Sequence, residues 1–183
     1  ILLLSNCSPA SRLGTGVDIT FDPRTIGMQI DDTIMQKNLV ARLSLSEKKY
    51  FIKIQVEVLD GRIFLSGKVD EPEEKLKIVK LAWETKGVRS VKTAITIKGE
   101  TNFKISAKDA LITTQLRTAL ILSKQTKATN YNIDTINGKT YIFGISMTKD
   151  EKIQVIKEAK EIYGVKEVIP SIILVEDLSR NKN

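Results

Sequence analysis

The sequence predicts an α+β protein built as two tandem αββαβ modules, each a three-stranded mixed sheet packed with two helices. Three observations predict it. Residues 31–98 and 108–175 align without a gap when 77 is added to each number. Each half carries an Asp-Gly or Asn-Gly dipeptide between two apolar runs, at Asp60-Gly61 and Asn137-Gly138. Each half also carries two segments with apolar residues at helical spacing. About 16 of the 68 aligned positions are identical, Asp32/Asp109, Leu43/Leu120 and Val91/Val168 among them, against roughly 4 expected from average composition. The offset is too long for a solenoid repeat and fits a small domain.

The elements follow in the same order in each half. Asp32 and Asp109 read as N-caps or first-turn acids. After them Met35, Leu39, Arg42 and Leu43, or Ile112, Leu116, Ala119 and Leu120, recur at helical spacing and predict an amphipathic helix. Ile52, Ile54, Val56 and Val58 alternate with Lys53, Gln55 and Glu57, the period of a half-buried strand. The two dipeptides supply the positive-φ pair of a tight hairpin turn through Gly61 and Gly138. Return strands follow over 62–69 and 139–146, with Gly67 and Gly144 at positions where a bulge or a close approach requires a missing side chain.

Pro72 with Glu73 and Glu74 opens a second helix at the end that favours acids. Gly87 and Gly164 fall where a helix C-cap is needed, and Val88-Arg89-Ser90-Val91 or Val165-Lys166-Glu167-Val168 begins a third strand. Residues 99–107 are too few for another element and serve as a linker, with Phe103 and Ile105 able to dock it between the domains.

Composition bounds the function. A chain that is 42% hydrophobic and 28% charged is globular rather than disordered. A net charge of +7 suits an anionic partner, but the 5% aromatic content and the lack of an RNP-like or Gly-X-X-Gly element argue against nucleic acid. The absence of histidine removes Ser-His-Asp and Cys-His arrangements and His-based metal sites. Gly14-Thr15-Gly16 lacks the rest of a phosphate-loop fingerprint, and Glu73/Glu74 and Asp150/Glu151 fall in helix first turns where capping explains them. No catalytic residue, metal site or cofactor is expected.

At the N-terminus Ile1-Leu2-Leu3-Leu4-Ser5-Asn6-Cys7 reads as the end of the apolar core of a truncated signal peptide. Leu4 to Cys7 resembles a bacterial lipobox, with Asn6 where Gly or Ala is usual. The resemblance implies that Cys7 is the acylated first residue of a lipoprotein, with palmitate among its acyl chains, and that Ser8 sorts it to the outer membrane.

The duplicated αββαβ pattern, with the hairpin glycine, the glycine in strand two and Gly-Val-x-x-Val after helix two, resembles the BON domain family. Asp22-Pro23-Arg24-Thr25-Ile26-Gly27-Met28-Gln29-Ile30-Asp31-Asp32 resembles the segment joining the lipidated cysteine to the first domain in dual-BON outer-membrane lipoproteins. The resemblance divides the chain into a signal-peptide end (1–6), a lipidated tail (7–30), BON domains at 31–98 and 108–175, the linker, and a C-terminal tail (176–183). It implies a lipid-anchored protein on the periplasmic face of the outer membrane of a Gram-negative bacterium. The resemblance further implies that it binds anionic phospholipid of the phosphatidylglycerol or cardiolipin type through the first helix of the second domain, and supports envelope integrity.

In this chain that helix contains Leu111, where the family motif has an aromatic. Leu111 flanks the core stripe and Ile121 lies opposite it, with Arg117 and Lys124 close to Ile121 in angle, so apolar tips stand beside cations. Ser44 replaces Ile121 in the first copy, so the second copy's helix is expected to be the more apolar outside its core stripe. The competing reading is a periplasmic adaptor with a protein partner in an envelope or peptidoglycan-remodelling machine.

Overall fold

The computed structural model describes residues 22–99 and 103–178. Cys7, the signal-peptide end and most of the expected tail lie outside the described residues. The first module runs α1 (Ile26–Ser46), α2 (Lys48–Lys53), β1 (Ile54–Leu59), β2 (Arg62–Val69), α3 (Pro72–Trp83) and β3 (Ser90–Ile97). The second runs α4 (Phe103–Leu122), a 3-10 turn at Ala128–Asn130, β4 (Tyr131–Ile136), β5 (Lys139–Ser146), α5 (Lys149–Glu161) and β6 (Glu167–Leu174). In each sheet the first two strands are antiparallel and the third runs parallel to the second, which takes the centre. This is the expected α+β architecture, twice.

Both first helices start earlier than the aspartates that were expected to open them. Thr25 caps α1, its hydroxyl accepting the Met28 N–H at 3.3 Å, and α4 already begins at Phe103, inside the expected linker. Asp32 and Asp109 are buried mid-helix instead. Each carboxylate accepts two backbone N–H groups of its own module's hairpin turn. Asp32 takes Asp60 and Gly61 at 2.8 and 2.9 Å, and Asp109 takes Asn137 and Gly138 at 2.8 and 2.9 Å. The turn residues all have positive φ, +51° and +69° in one copy and +54° and +80° in the other. Two successive N–H groups in that conformation form a concave anion nest, which explains why the acid recurs.

Strand β1 begins at Ile54, not Ile52, because α2 turns the chain before it. The ladder stops where Ile54 faces Gly67, since the chain crosses over that glycine: a Cβ there would lie 2.1 Å from the Lys53 carbonyl oxygen. Gly144 meets the same obstacle, 2.3 Å from the Asn130 carbonyl. The helical turn buries Tyr50 and leaves Phe51 and Ile52 in solvent. Gly87 and Gly164 have φ of +85° and +95°, but the C-caps are Glu84 and Ile162, so these glycines shape the loop that follows.

The helices cover one face of each sheet. Leu39, Leu43, Ile63, Leu65, Ile78 and Ala82 form the centre of the first core, and Leu116, Leu120, Ile133, Ile142, Val155 and Ala159 that of the second. The opposite sheet faces meet each other. Phe64 of β2 stacks on Phe143 of β5 with ring centroids 5.3 Å apart, beside Ala94. At one end Met28, Ile145, Ile173 and Leu178 pack together, so Leu178 of the expected C-terminal tail is fully buried. The molecule is thus layered helix, sheet, sheet, helix.

Candidate functional site

Helix α4 is held from below and bare above. Ile112, Leu116 and Leu120 face the core, Asp109 grips the hairpin, and the Thr113 hydroxyl donates to Thr135 Oγ1 at 2.9 Å. Leu111, Ile121 and Leu122 are 57%, 70% and 76% exposed. Between them, Thr114 and Thr118 donate their hydroxyls to the Ala110 and Thr114 carbonyls, each at 2.9 Å. Those hydroxyl hydrogens are spent inside the helix, so the outer face is less polar than its sequence reads.

The expected cations are distributed differently from the helical projection. The Arg117 guanidinium donates to the Ile133 carbonyl on the edge of β4 at 3.1 Å, which ties one of its nitrogens to the fold. Lys124 lies in the turn after α4, which ends at Leu122, and does not continue the helical face. It is exposed there, as are Lys127 and, nearer the start of the helix, Lys104 and Lys108. Among the described residues none of these four lysines is in an ion pair. The only acid in α4 is Asp109, whose charge is turned inward to the hairpin. An exposed apolar line flanked by cations with no exposed acid is chemically suited to an anionic interface.

The expected contrast with the first copy does not hold on apolar exposure. Ser44 does stand in place of Ile121, but α1 exposes Ile26, Ile30, Ile34 and Leu45. Sequence reasoning missed these and missed Leu122. The signal was present: Ile26, Ile30 and Ile34 recur at four-residue spacing, and Leu45/Leu122 was an identity of the repeat. The two helices differ in charge instead. Helix α1 exposes Asp31 as well as Lys37, and its Arg42 is committed to the Leu81 carbonyl and to Glu84, at 2.9 and 2.8 Å.

A second concavity lies between the modules, lined by Arg24, Asp32, Glu57, Asn130 and Asn132. Arg24 donates to Asp32 at 2.8 Å and to Asp22 at 2.7 Å. Burial pushes the Glu57 carboxyl above its ordinary range, against a smaller downward pull from Arg24. Burial raises Asp134 as well, opposed by the Ser66 hydroxyl. Among the described residues no group of three or more His, Cys, Asp or Glu side chains is placed to hold a metal ion, and no helix is long and apolar enough to cross a membrane.

The fold defines a class: a duplicated α+β module, each copy a three-stranded mixed sheet covered by helices on one face. The model of the family described as BON domain matches residues 31–99 and again 108–176, and the chain belongs to that family. It is 29% identical over 174 residues to the outer membrane lipoprotein DolP of Haemophilus influenzae, covering 92% of this chain and 88% of that one. It is 35% identical over 125 residues to an Anaplasma centrale protein named for the gshII 5' region, 68% of this chain and 83% of that one. A 21 kDa hemolysin of Actinobacillus pleuropneumoniae is 25% identical over 156 residues, 85% of this chain and 80% of that one. Among solved structures, CdsD, a structural protein of the Chlamydia trachomatis type III secretion system, is 17% identical at a TM-score of 0.32, covering 78% of this chain, which spans 63% of that one.

Proposed function

We propose that this chain is an outer-membrane lipoprotein, anchored through acylated Cys7 on the periplasmic face, that binds anionic phospholipid with the outer face of α4 and supports envelope integrity. The single observation that carries the lipid reading is the exposure of Leu111, Ile121 and Leu122 on a helix whose one acid is buried. The likeness to an outer membrane lipoprotein over most of both chains supports the location. Phosphatidylglycerol or cardiolipin headgroups would meet Lys104, Lys108 and Lys124, with the free nitrogens of Arg117 beside them. Anchoring by acyl chains lets the helix work with modest affinity, because the anchor already holds it at the leaflet.

Each apolar side chain that leaves water fully contributes about 1.5–3 kcal/mol, and each nearby cation adds about 1 kcal/mol at an anionic surface. Leu111→Glu or Ile121→Glu removes one such contact and adds a repulsive charge, so each is expected to weaken binding by about tenfold or more. Flotation of the chain from Ser8 onward on phosphatidylglycerol vesicles tests this, with phosphatidylcholine vesicles as the control. Flotation on the anionic vesicles alone, lost in both variants, supports the reading. Equal behaviour on the two lipids, indifferent to the variants, removes it.

The adaptor reading has one observation in its favour: α1 carries a second bare apolar face, with Ile26, Ile30, Ile34 and Leu45 exposed.

A further inference from the structure

We infer that the groove beside Arg62, Arg89 and Lys92, at the rim of the interface between the two sheets, binds the terminal phosphate of a phosphomonoester. The parallel β2–β3 ladder sets Arg62 opposite Ser90. Alternate residues of a strand share a face, so Arg62 lies with Phe64, and Ser90 and Lys92 lie with Ala94. Phe64 and Ala94 pack against Phe143 of the second module, so this is the face turned toward that module. Beyond that packing, Arg62, Arg89, Ser90 and Lys92 line a groove of about 400 Å³ together with Ser171 of β6.

The cations there are in surplus, and two of them are held in place. The Asp60 carboxylate is buried. Arg62 and Arg89 both donate through Nη1 to its same oxygen, Oδ2, Arg62 at 2.5 Å. One carboxylate shared by two guanidiniums fixes them side by side and leaves a positive charge over. Among the described residues the Nε and Nη2 groups of both arginines have no acceptor, and Lys92 is exposed and in no ion pair. Asp177, exposed and already partnered, is the one acid on the lining.

The second copy of the repeat shows what the first one lacks. Across the offset of 77, Asp60, Arg62, Arg89 and Ser90 become Asn137, Lys139, Lys166 and Glu167. Glu167 pairs with Lys139 at 2.8 Å, so that corner carries its own carboxylate. Ser90 leaves the same place open in the first copy, and guanidiniums stand there in place of ammonium groups. Forked guanidiniums match the oxygens of carboxylates and phosphates. The free guanidinium nitrogens, the Lys92 ammonium and the Ser90 and Ser171 hydroxyls outnumber what a carboxylate can accept, whereas a terminal phosphate brings three oxygens and about two charges. A soluble phosphomonoester or a lipid headgroup ending in phosphate supplies that group. No residue of α4 takes part, so the site does not rest on the lipid reading.

The experiment follows backbone amide shifts of the full chain carrying Cys7→Ser, titrated at constant ionic strength with inorganic phosphate, glycerol 3-phosphate and dihexanoyl phosphatidic acid. The expected result is saturable shifts at Arg62, Ser90, Lys92 and Ser171, with a Kd on the order of 1 mM or below. Saturation by either soluble probe assigns the site to free phosphomonoesters, and a response to the lipid alone assigns it to a headgroup; both support the inference. Ser90→Glu, which copies the second module, is expected to weaken binding by about tenfold or more, and Lys92→Ala several-fold. Ser90→Gln, similar in size and neutral, keeps most of the binding, and Leu111→Glu leaves it unchanged. No saturable shift at these residues with any of the probes overturns the inference. So do shifts that Ser90→Glu leaves untouched, an equal loss in Ser90→Gln, or the same shifts produced by acetate at equal ionic strength.

Discussion

The carboxylate of Asp109, in the second turn of α4, accepts the backbone N–H of Gly138 at 2.9 Å. It accepts the neighbouring Asn137 N–H at 2.8 Å, so a single side chain pins the helix to the hairpin of its own module. The helix proposed to meet lipid is therefore rigidly mounted, and its outer residues can be changed with little effect on its mounting.

Asp109→Ala leaves two N–H groups at the turn without their anion and is expected to cost about 3 kcal/mol. Asp109→Asn, which keeps one acceptor oxygen, is expected to cost about half as much. Urea denaturation of both variants checks this. A loss below about 0.5 kcal/mol for the alanine variant, within ordinary surface noise, would deny the carboxylate its structural role.

Gly144→Ala is expected to be severe although its backbone φ is not in the left-handed region, because the added Cβ would lie 2.3 Å from the Asn130 carbonyl oxygen and 2.6 Å from the Tyr131 ring. Relief requires the start of β4 to move, a cost of about 3 kcal/mol or more. Thermal melting reads it directly, and a fall in melting temperature of less than a few degrees would contradict the close approach.

Phe143→Ala removes the ring that stacks on Phe64 between the two sheets. The expected outcome is a loss of about 3 kcal/mol, together with a split of one calorimetric transition into two as the modules uncouple. A single transition at nearly the original temperature would mean that the sheets are joined by something other than this stack.

The raised Glu57 carboxyl gives a pH dependence of definite sign. Its folded pKa lies above its unfolded one because burial penalises the charge, so between the two values the folded state binds more protons. Stability from this group therefore rises as pH falls through that window and is lowest above it. Glu57→Gln is expected to stabilise the protein at neutral pH and to match the parent at acid pH, which urea midpoints at the two pH values measure. A variant less stable than the parent at neutral pH would reverse the sign.

The repeat made the fold legible. Identities at Gly61/Gly138 and Gly67/Gly144 located the hairpins and both return strands, because turn chemistry and steric crossing depend on local sequence. What was not legible came from contacts distant in the chain. Asp32 and Asp109 look like caps in a linear reading, and only folding brings each against a turn 28 or 29 residues away. Ile52 fits the period of its strand, yet the crossing over Gly67 ends the ladder first. At the candidate site, Leu111 and Ile121 were recognisable as lying off the core stripe. Lys124 was not correctly located, since a helical projection does not tell where the helix stops. Leu45/Leu122 and Leu76/Ile153 recur between the copies and are exposed, so recurrence marks bare surface as well as core.

The central claim is that α4 is the lipid-facing element, and backbone amide NMR of the Cys7→Ser chain titrated with phosphatidylglycerol-doped bicelles tests it most directly. The account predicts shifts concentrated at Leu111, Thr114, Thr118, Ile121 and Leu122 and in the turn around Lys124, absent with phosphatidylcholine bicelles alone. Shifts centred on α1 or α5, or none with the anionic lipid, would contradict it.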